Sequence, residues 1–159
     1  MLKLRKNKKG FTLVELIVVI AIMAVLAGTV AGVTVTQLNK QTNNSGATQA
    51  KLIADYVVQE IGADPDKVIG TSGTGADAKT VFVATATDNT KYEILERIDA
   101  NMKNDKIGFT TGNDKGKIKV ELSTDKTTVT ITYLAKGNGS NTVYTVTADG
   151  VLTKTAPTA

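Results

Sequence analysis

From Leu16 to Asn39 the chain carries no charged residue. That run constrains the fold more than any other feature. A helix needs about 20 mostly apolar residues to cross a bilayer. Leu16 to Val35 supplies them, with Thr29 and Thr34 as the only hydroxyl groups. The segment ahead, Met1 to Lys9, holds Lys3, Arg5, Lys6, Lys8 and Lys9 and no acid. Basic residues beside a span hold that end in the cytoplasm. The N-terminus is therefore expected inside, and everything after about Gln37 outside.

Glu15 stands at the edge of this run. A charged group at the centre of a spanning helix costs roughly 2.5–3.5 kcal/mol on insertion scales, and less toward the interface. Two readings follow. Glu15 either sits at headgroup level and caps the helix start, where it suits the helix dipole, or it is a functional group with a nameable partner.

The residues around it carry a resemblance. Lys8-Lys9-Gly10-Phe11-Thr12-Leu13-Val14-Glu15-Leu16, a short basic leader followed by an apolar helix, resembles the N-terminus of type IV pilins and their pseudopilin relatives. The close match covers about Lys8 to Ala31, and the rest agrees in layout. The resemblance implies that a prepilin peptidase cuts between Gly10 and Phe11. It implies N-methylation of the new Phe11 amine, and pairing of Glu15 with the Phe11 amine of a neighbouring subunit during assembly. Physics agrees, since a buried charge is tolerated when it is paired. The implied partners are further copies of the chain in a helical homopolymer, the peptidase, the pilus assembly platform with minor pilins, and the membrane before assembly. Many pilins carry a proline about where Gly32 stands. Here Gly28 and Gly32 form a GxxxG spacing that lets helices approach closely in lipid. Small residues scattered through a span would look the same.

The formal charge of +4 comes from 19 Lys and Arg against 15 Asp and Glu. Five of the positive charges lie in the leader, and removing it leaves 4 − 5 = −1. The processed chain has no overall pull toward anionic lipid or nucleic acid. No basic stripe is visible beyond Lys40, and nucleic acid is not an expected partner. The absence of Cys and His rules out disulfides and removes the usual metal ligands and most nucleophile–base pairs. Ser45, Ser72, Ser123 and Ser140 stand in no catalytic motif, and no stretch has EF-hand ligand spacing. No enzyme activity, cofactor or metal is expected.

The layout expected is a leader over 1–10, a hydrophobic membrane and assembly helix over 11–39, an amphipathic continuation over 40–62 and an extracytoplasmic αβ-loop and β-sheet domain over 63–159. Leu38, Leu52, Ile53, Tyr56, Val57 and Ile61 recur at helical spacing. Asn43-Asn44-Ser45-Gly46 reads as a place where the helix bends or breaks. Gly62 and Asp64-Pro65 stop it. A turn of helix is expected near Pro65 to Ile69, and a strand over Thr80 to Thr87. A capping box at Thr90-Lys91-Tyr92-Glu93 predicts a helix over Lys91 to Met102. Ile107 to Thr111 is a weak strand candidate. Lys117 to Ser123, Thr127 to Leu134, Thr142 to Ala148 and Val151 to Lys154 alternate as strands with one buried face. Asp149-Gly150 marks a hairpin, and Thr153 to Ala159 reads as a frayed tail. The fold class is α+β, a long N-terminal helix packed on a C-terminal antiparallel sheet, pilin-like.

The expectation is a structural subunit, the major pilin of a type IV pilus serving adhesion, motility or aggregation. It would first be a single-pass protein of the cytoplasmic membrane, then part of a surface filament. One alternative is a minor pilin, or a pseudopilin of a type II secretion or competence system. Another is a secreted binding domain whose ordinary signal peptide ends near Val25-Leu26-Ala27.

Overall fold

A computed structural model describes residues 10–103 and 107–155. The basic leader Met1 to Lys9, on which the orientation reading rests, and the last residues of the expected tail lie outside them. The chain is α+β: a long helix, α1 (Leu13–Ala63), precedes two small hairpins, two short helices and a four-stranded antiparallel sheet. It divides into two compact units at Leu38/Asn39.

The first unit is the stretch of α1 up to Leu38. Every described residue from Gly10 to Leu38 is exposed. The most apolar window reaches a mean hydropathy of 2.8, and none of it is buried. The Thr29, Thr34 and Thr36 hydroxyls donate to the Leu26, Val30 and Gly32 carbonyls at 3.0, 2.8 and 3.1 Å. Back-bonding of this kind satisfies the hydroxyls within the helix. These hydroxyls therefore meet the condition that lipid sets, namely that polar groups be satisfied internally.

The second unit is built on α1 from Asn39 onward. Gly46, Ala50, Ile53, Ala54, Val57 and Ile61 are buried and recur at the three- and four-residue steps of one helical stripe. Leu38 and Leu52 fall off that stripe and are exposed. Ile53, Val57 and Ile61 are the expected members of this face, and Gly46, Ala50 and Ala54 complete it in place of those leucines.

The expected break at Asn43-Asn44-Ser45-Gly46 does not occur; α1 runs through it. These residues dock the helix. Asn43 Oδ1 accepts from the Lys136 backbone N–H at 2.8 Å and from the Tyr133 hydroxyl at 3.1 Å, and its Nδ2 donates to the Lys136 carbonyl at 3.1 Å. Gly46 lies under the Tyr133 ring, where any Cβ would collide with ring carbons. Weak helix formers stand here because the sheet must come close and needs a polar anchor.

The sheet is a meander of β5 (Ile118–Leu122), β6 (Thr128–Tyr133), β7 (Thr142–Thr147) and β8 (Leu152–Thr155), in spatial order β5-β6-β7-β8. Val129 pairs with Val146 and Ile131 with Tyr144, so alternate residues share one face. That face and the α1 stripe form one buried cluster with Ile118 and Tyr133. Fully burying such a side chain contributes about 1.5–3 kcal/mol. The β7–β8 turn falls at Asp149-Gly150, with Gly150 at φ +82°. Thr153 to Thr155 pair in register with Val143 to Thr145, so this part of the expected tail is strand.

Between α1 and the meander lie α2 (Pro65–Val68), β1 (Ile69–Ser72), a 3₁₀ turn (Gly75–Asp77), β2 (Lys79–Phe82), β3 (Ala84–Thr85), β4 (Asp88–Tyr92) and α3 (Glu93–Met102). The single strand expected over Thr80 to Thr87 is divided at Val83. There the backbone turns its N–H to Val68, and β2 and β3 pair with different strands. The capping box at Thr90 does not form. The Thr90 hydroxyl and N–H donate to the Asp88 carboxylate at 2.6 and 2.9 Å, inside β4. The Glu93 carboxylate is held by Arg97, and α3 begins after Tyr92 without a side-chain cap. Ile107 to Thr111 contributes one bridge, Phe109 to Ile118, rather than a strand.

Arg97 fastens α3 to the end of α1. Its Nε donates to Glu93 at 3.0 Å, its Nη2 to Asp64 at 3.1 Å, and its Nη1 to Glu60. Ile94 and Ile98 are buried in the same cluster as Val57 and Ile61. Arg97, assisted by Lys67, holds the Asp64 carboxyl below its ordinary value. The three carboxylates raise the guanidinium in turn.

Candidate functional site

The N-terminal segment is built around Thr12 and Glu15. The Thr12 carbonyl accepts the Leu16 N–H at 3.3 Å, which places Thr12 at the N-cap of α1. Thr12 Oγ1 accepts from the Glu15 N–H at 3.2 Å, and Glu15 Oε2 accepts from the Thr12 N–H at 2.9 Å. The Thr12 hydroxyl also donates to Glu15 Oε2 at 2.9 Å. This reciprocal pair is a capping box, in which each side chain satisfies the other's backbone donor. The sequence signal was Thr followed three residues on by Glu, just before an apolar run. In the single chain Glu15 caps the helix start through Thr12.

Phe11 is 93% exposed, and Gly10 has nothing within 4 Å of where a Cβ would stand. Among the described residues nothing covers the expected cleavage position. In the uncleaved chain the Phe11 nitrogen is a peptide amide and carries no charge. Glu15 lies one turn along from Phe11 but is bonded to Thr12. Gly28 and Gly32 are likewise clear of all neighbours. Four residues apart, they form a notch on one face of the helix. The structure brings Thr12 and Glu15 together; among the described residues, Gly28 and Gly32 are open at their Cα positions, and the Gly32 carbonyl accepts the Thr36 hydroxyl.

Chemically the segment offers an accessible peptide bond, one carboxylate at a helix start and a bare apolar surface. These are features for being processed, inserted and packed.

Comparison with family models places the prokaryotic N-terminal methylation motif on residues 5–31. The chain carries the prepilin signature shared by type IV pilins and pseudopilins. The signature spans Gly10, Phe11, Thr12, Glu15 and Gly28, and stops one residue short of Gly32. The signature is characteristic of a structural class of proteins. With the apolar helix it points to prepilin processing, membrane anchoring and pilus assembly. No curated protein and no solved structure matches the chain.

Proposed function

We propose that the prepilin is the repeating structural subunit of a type IV pilus. One observation carries the reading. A helix bearing the methylation motif presents every described residue from Gly10 to Leu38 to its surroundings. Burying apolar surface is the dominant favourable term in folding and association, and this stretch buries none of it within its own chain. Lipid covers it before assembly and other copies of the same helix cover it afterwards.

Processing follows at the open site. Prepilin peptidase cuts between Gly10 and Phe11 on the cytoplasmic side, and the Phe11 amine is methylated. The amine is a new cation in a low-dielectric setting, where charges require partners. Glu15 of an adjoining copy supplies one, exchanging its hydrogen bonds to Thr12 for a charge-assisted bond to the amine, which is the stronger kind. The Gly28/Gly32 notch admits a neighbouring helix. A carboxylate kept at the helix start suits a subunit added along the whole filament, and this favours the major pilin over a minor pilin or pseudopilin. The filament then serves adhesion, motility or aggregation.

The test is the mass and N-terminal sequence of protein sheared from the cell surface. An abundant chain that begins at N-methylated Phe11 and pellets as filaments is expected. A soluble, unmethylated chain beginning near Gly28 would overturn the proposal in favour of an exported domain. A methylated chain confined to the membrane fraction would transfer it to a pseudopilin.

A further inference from the structure

The four-stranded sheet ends in two bare edges. In an antiparallel ladder, alternate residues turn their N–H and C=O toward one neighbour and the rest turn theirs toward the other. The Ser123 N–H donates to Thr128 and the Leu134 N–H to the Lys117 carbonyl, so the odd-numbered residues of β5 bond to β6. The even-numbered ones face outward. Ile118 is taken: its N–H donates to Gly108 at 3.1 Å and its carbonyl accepts from Thr110 at 2.9 Å. Val120 and Leu122 have no such partner among the described residues. On β8 the Val151 carbonyl accepts the Thr147 N–H, so Leu152 and Lys154 face away from β7, the strand's one neighbour. Each edge thus offers the donors and acceptors of two residues, spaced alike. Edges of this kind are templates for another strand.

The two edges also match in direction and in face. β5 and β8 are the first and last of four alternating strands and run oppositely. Copies that point the same way therefore bring β8 of one antiparallel to β5 of the next. Val120, Ile131, Tyr144 and Lys154 form one row on the buried face, and Leu122, Val129, Val146 and Leu152 form another. A cavity of about 480 Å³ opens beside Val120, lined also by Leu95, Ile98, Phe109 and Asp99. Asp99 is exposed and meets Lys103 at 3.5 Å.

We propose that β8 of one copy pairs with β5 of the next and so continues the sheet from subunit to subunit. The inference rests on the filament reading above. Lys154 stands opposite Val120 and Leu152 opposite Leu122, each pair exchanging both of its backbone bonds. In that register the Lys154 side chain shares the face of Val120. Its stem covers the cavity and its ammonium meets Asp99, as a long basic side chain can bury its stem and keep its head in a polar setting. Pairing two β8 edges, or two β5 edges, would turn one copy over and close a dimer, whereas a head-to-tail contact propagates as a filament.

The chain has no cysteine, so an engineered pair reports without background. In the proposed register Glu121 stands opposite Thr153, both exposed on the sheet face away from the core. Their Cα atoms would be about 4.5 Å apart, within disulfide reach. Inside one chain β6 and β7 separate them, a distance of about 14 Å that a disulfide cannot span. Filaments of E121C/T153C as sole subunit, sheared from cells and oxidised, should run as a ladder of covalent multimers on non-reducing gels, and each single variant as monomer. Monomers alone, from E121C/T153C filaments of native yield, overturn the inference and leave the filament reading intact. Dimers from T153C alone overturn it in favour of two paired β8 edges. A second variant, Lys154→Pro, removes an outward N–H and no bond to β7. Its filament yield should fall at least about threefold below that of Lys154→Gln, with the melt in detergent unchanged. Equal yields overturn the inference. A native chain that forms no filaments overturns the filament reading as well.

Discussion

The two halves of α1 share one backbone ladder and differ in what their side chains are for. Before Leu38 the apolar residues surround the helix and none is buried. After Asn39 the buried set shrinks to one stripe of Gly46, Ala50, Ile53, Ala54, Val57 and Ile61. A helix that is hydrophobic all round belongs inside something larger, whereas an amphipathic one belongs to its own domain's core. The second half finds its cover in this chain. On the proposed reading, lipid or further copies complete the first half. Substitutions in the first half should therefore act on assembly and leave folding intact, and those in the second half should do the reverse.

The largest expected effect is at Glu15. Glu15→Val removes the carboxylate and makes the run more apolar, so the chain should still insert and its sheet should still fold. Filament yield from this variant as sole subunit should fall to background in sheared fractions. Normal yield would sink the pairing with the Phe11 amine. The matching change in the second half is Gly46→Leu. A side chain there meets the Tyr133 ring, and overpacking of a filled core costs about 1–3 kcal/mol or more. Thermal melting of the full chain in detergent should show a clear loss of stability. An unchanged melt would mean that the Tyr133 contact is not needed for docking.

Arg97 comes next. Arg97→Met strips a partly buried guanidinium from Glu60, Asp64 and Glu93. Hydrogen bonds to charged groups contribute about 1.5–3 kcal/mol when buried and less where water reaches them. The loss should be roughly 1–3 kcal/mol by denaturant melt, with insertion unaffected. The same variant carries a pH signature. Asp64 is held below its ordinary value near 3.8, first by Arg97 and then by Lys67. A depressed carboxyl contributes stability that is fully present above its unfolded pKa and is lost as pH falls through the folded one. The native chain should therefore weaken below about pH 4, and Arg97→Met should weaken less steeply there. Asp88 and Asp125 are depressed with the same sign by Thr90, and by Ser123 and Thr127. Their share of the acid limb should survive in the variant. An identical acid limb in both proteins would remove Asp64 from the account.

Much of this was legible in the sequence because it is carried by repetition. The uncharged run, the period-two alternation of Val129, Ile131 and Tyr133, and the Asp149-Gly150 turn each announce themselves locally. What the sequence hid depends on distant partners. Asn43 and Gly46 look like helix breakers until Lys136 and Tyr133 arrive from about ninety residues on. Thr90 and Glu93 spell a capping box, but Asp88 and Arg97 compete for the same groups and win. Of the candidate site, Gly10, Phe11 and Glu15 were visible as a motif. The missing element was Thr12, whose role is a geometric relation rather than a residue type.

Thr12 also gives the smallest and most discriminating prediction. In the single chain Glu15 is held by the Thr12 hydroxyl and backbone N–H. Loss of a side-chain cap costs a helix about 1 kcal/mol, spread over an end that frays in any case. Thr12→Val keeps the shape and removes the hydroxyl, so Glu15 loses its local partner while its carboxylate stays. If the amine of a neighbouring copy is the stronger partner, filaments should still form, at a yield near that of the native chain. If Thr12 is what presents Glu15 in the right place, the yield should fall toward that of Glu15→Val. The two variants measured side by side in sheared fractions thus separate a carboxylate that is merely parked on Thr12 from one that depends on it.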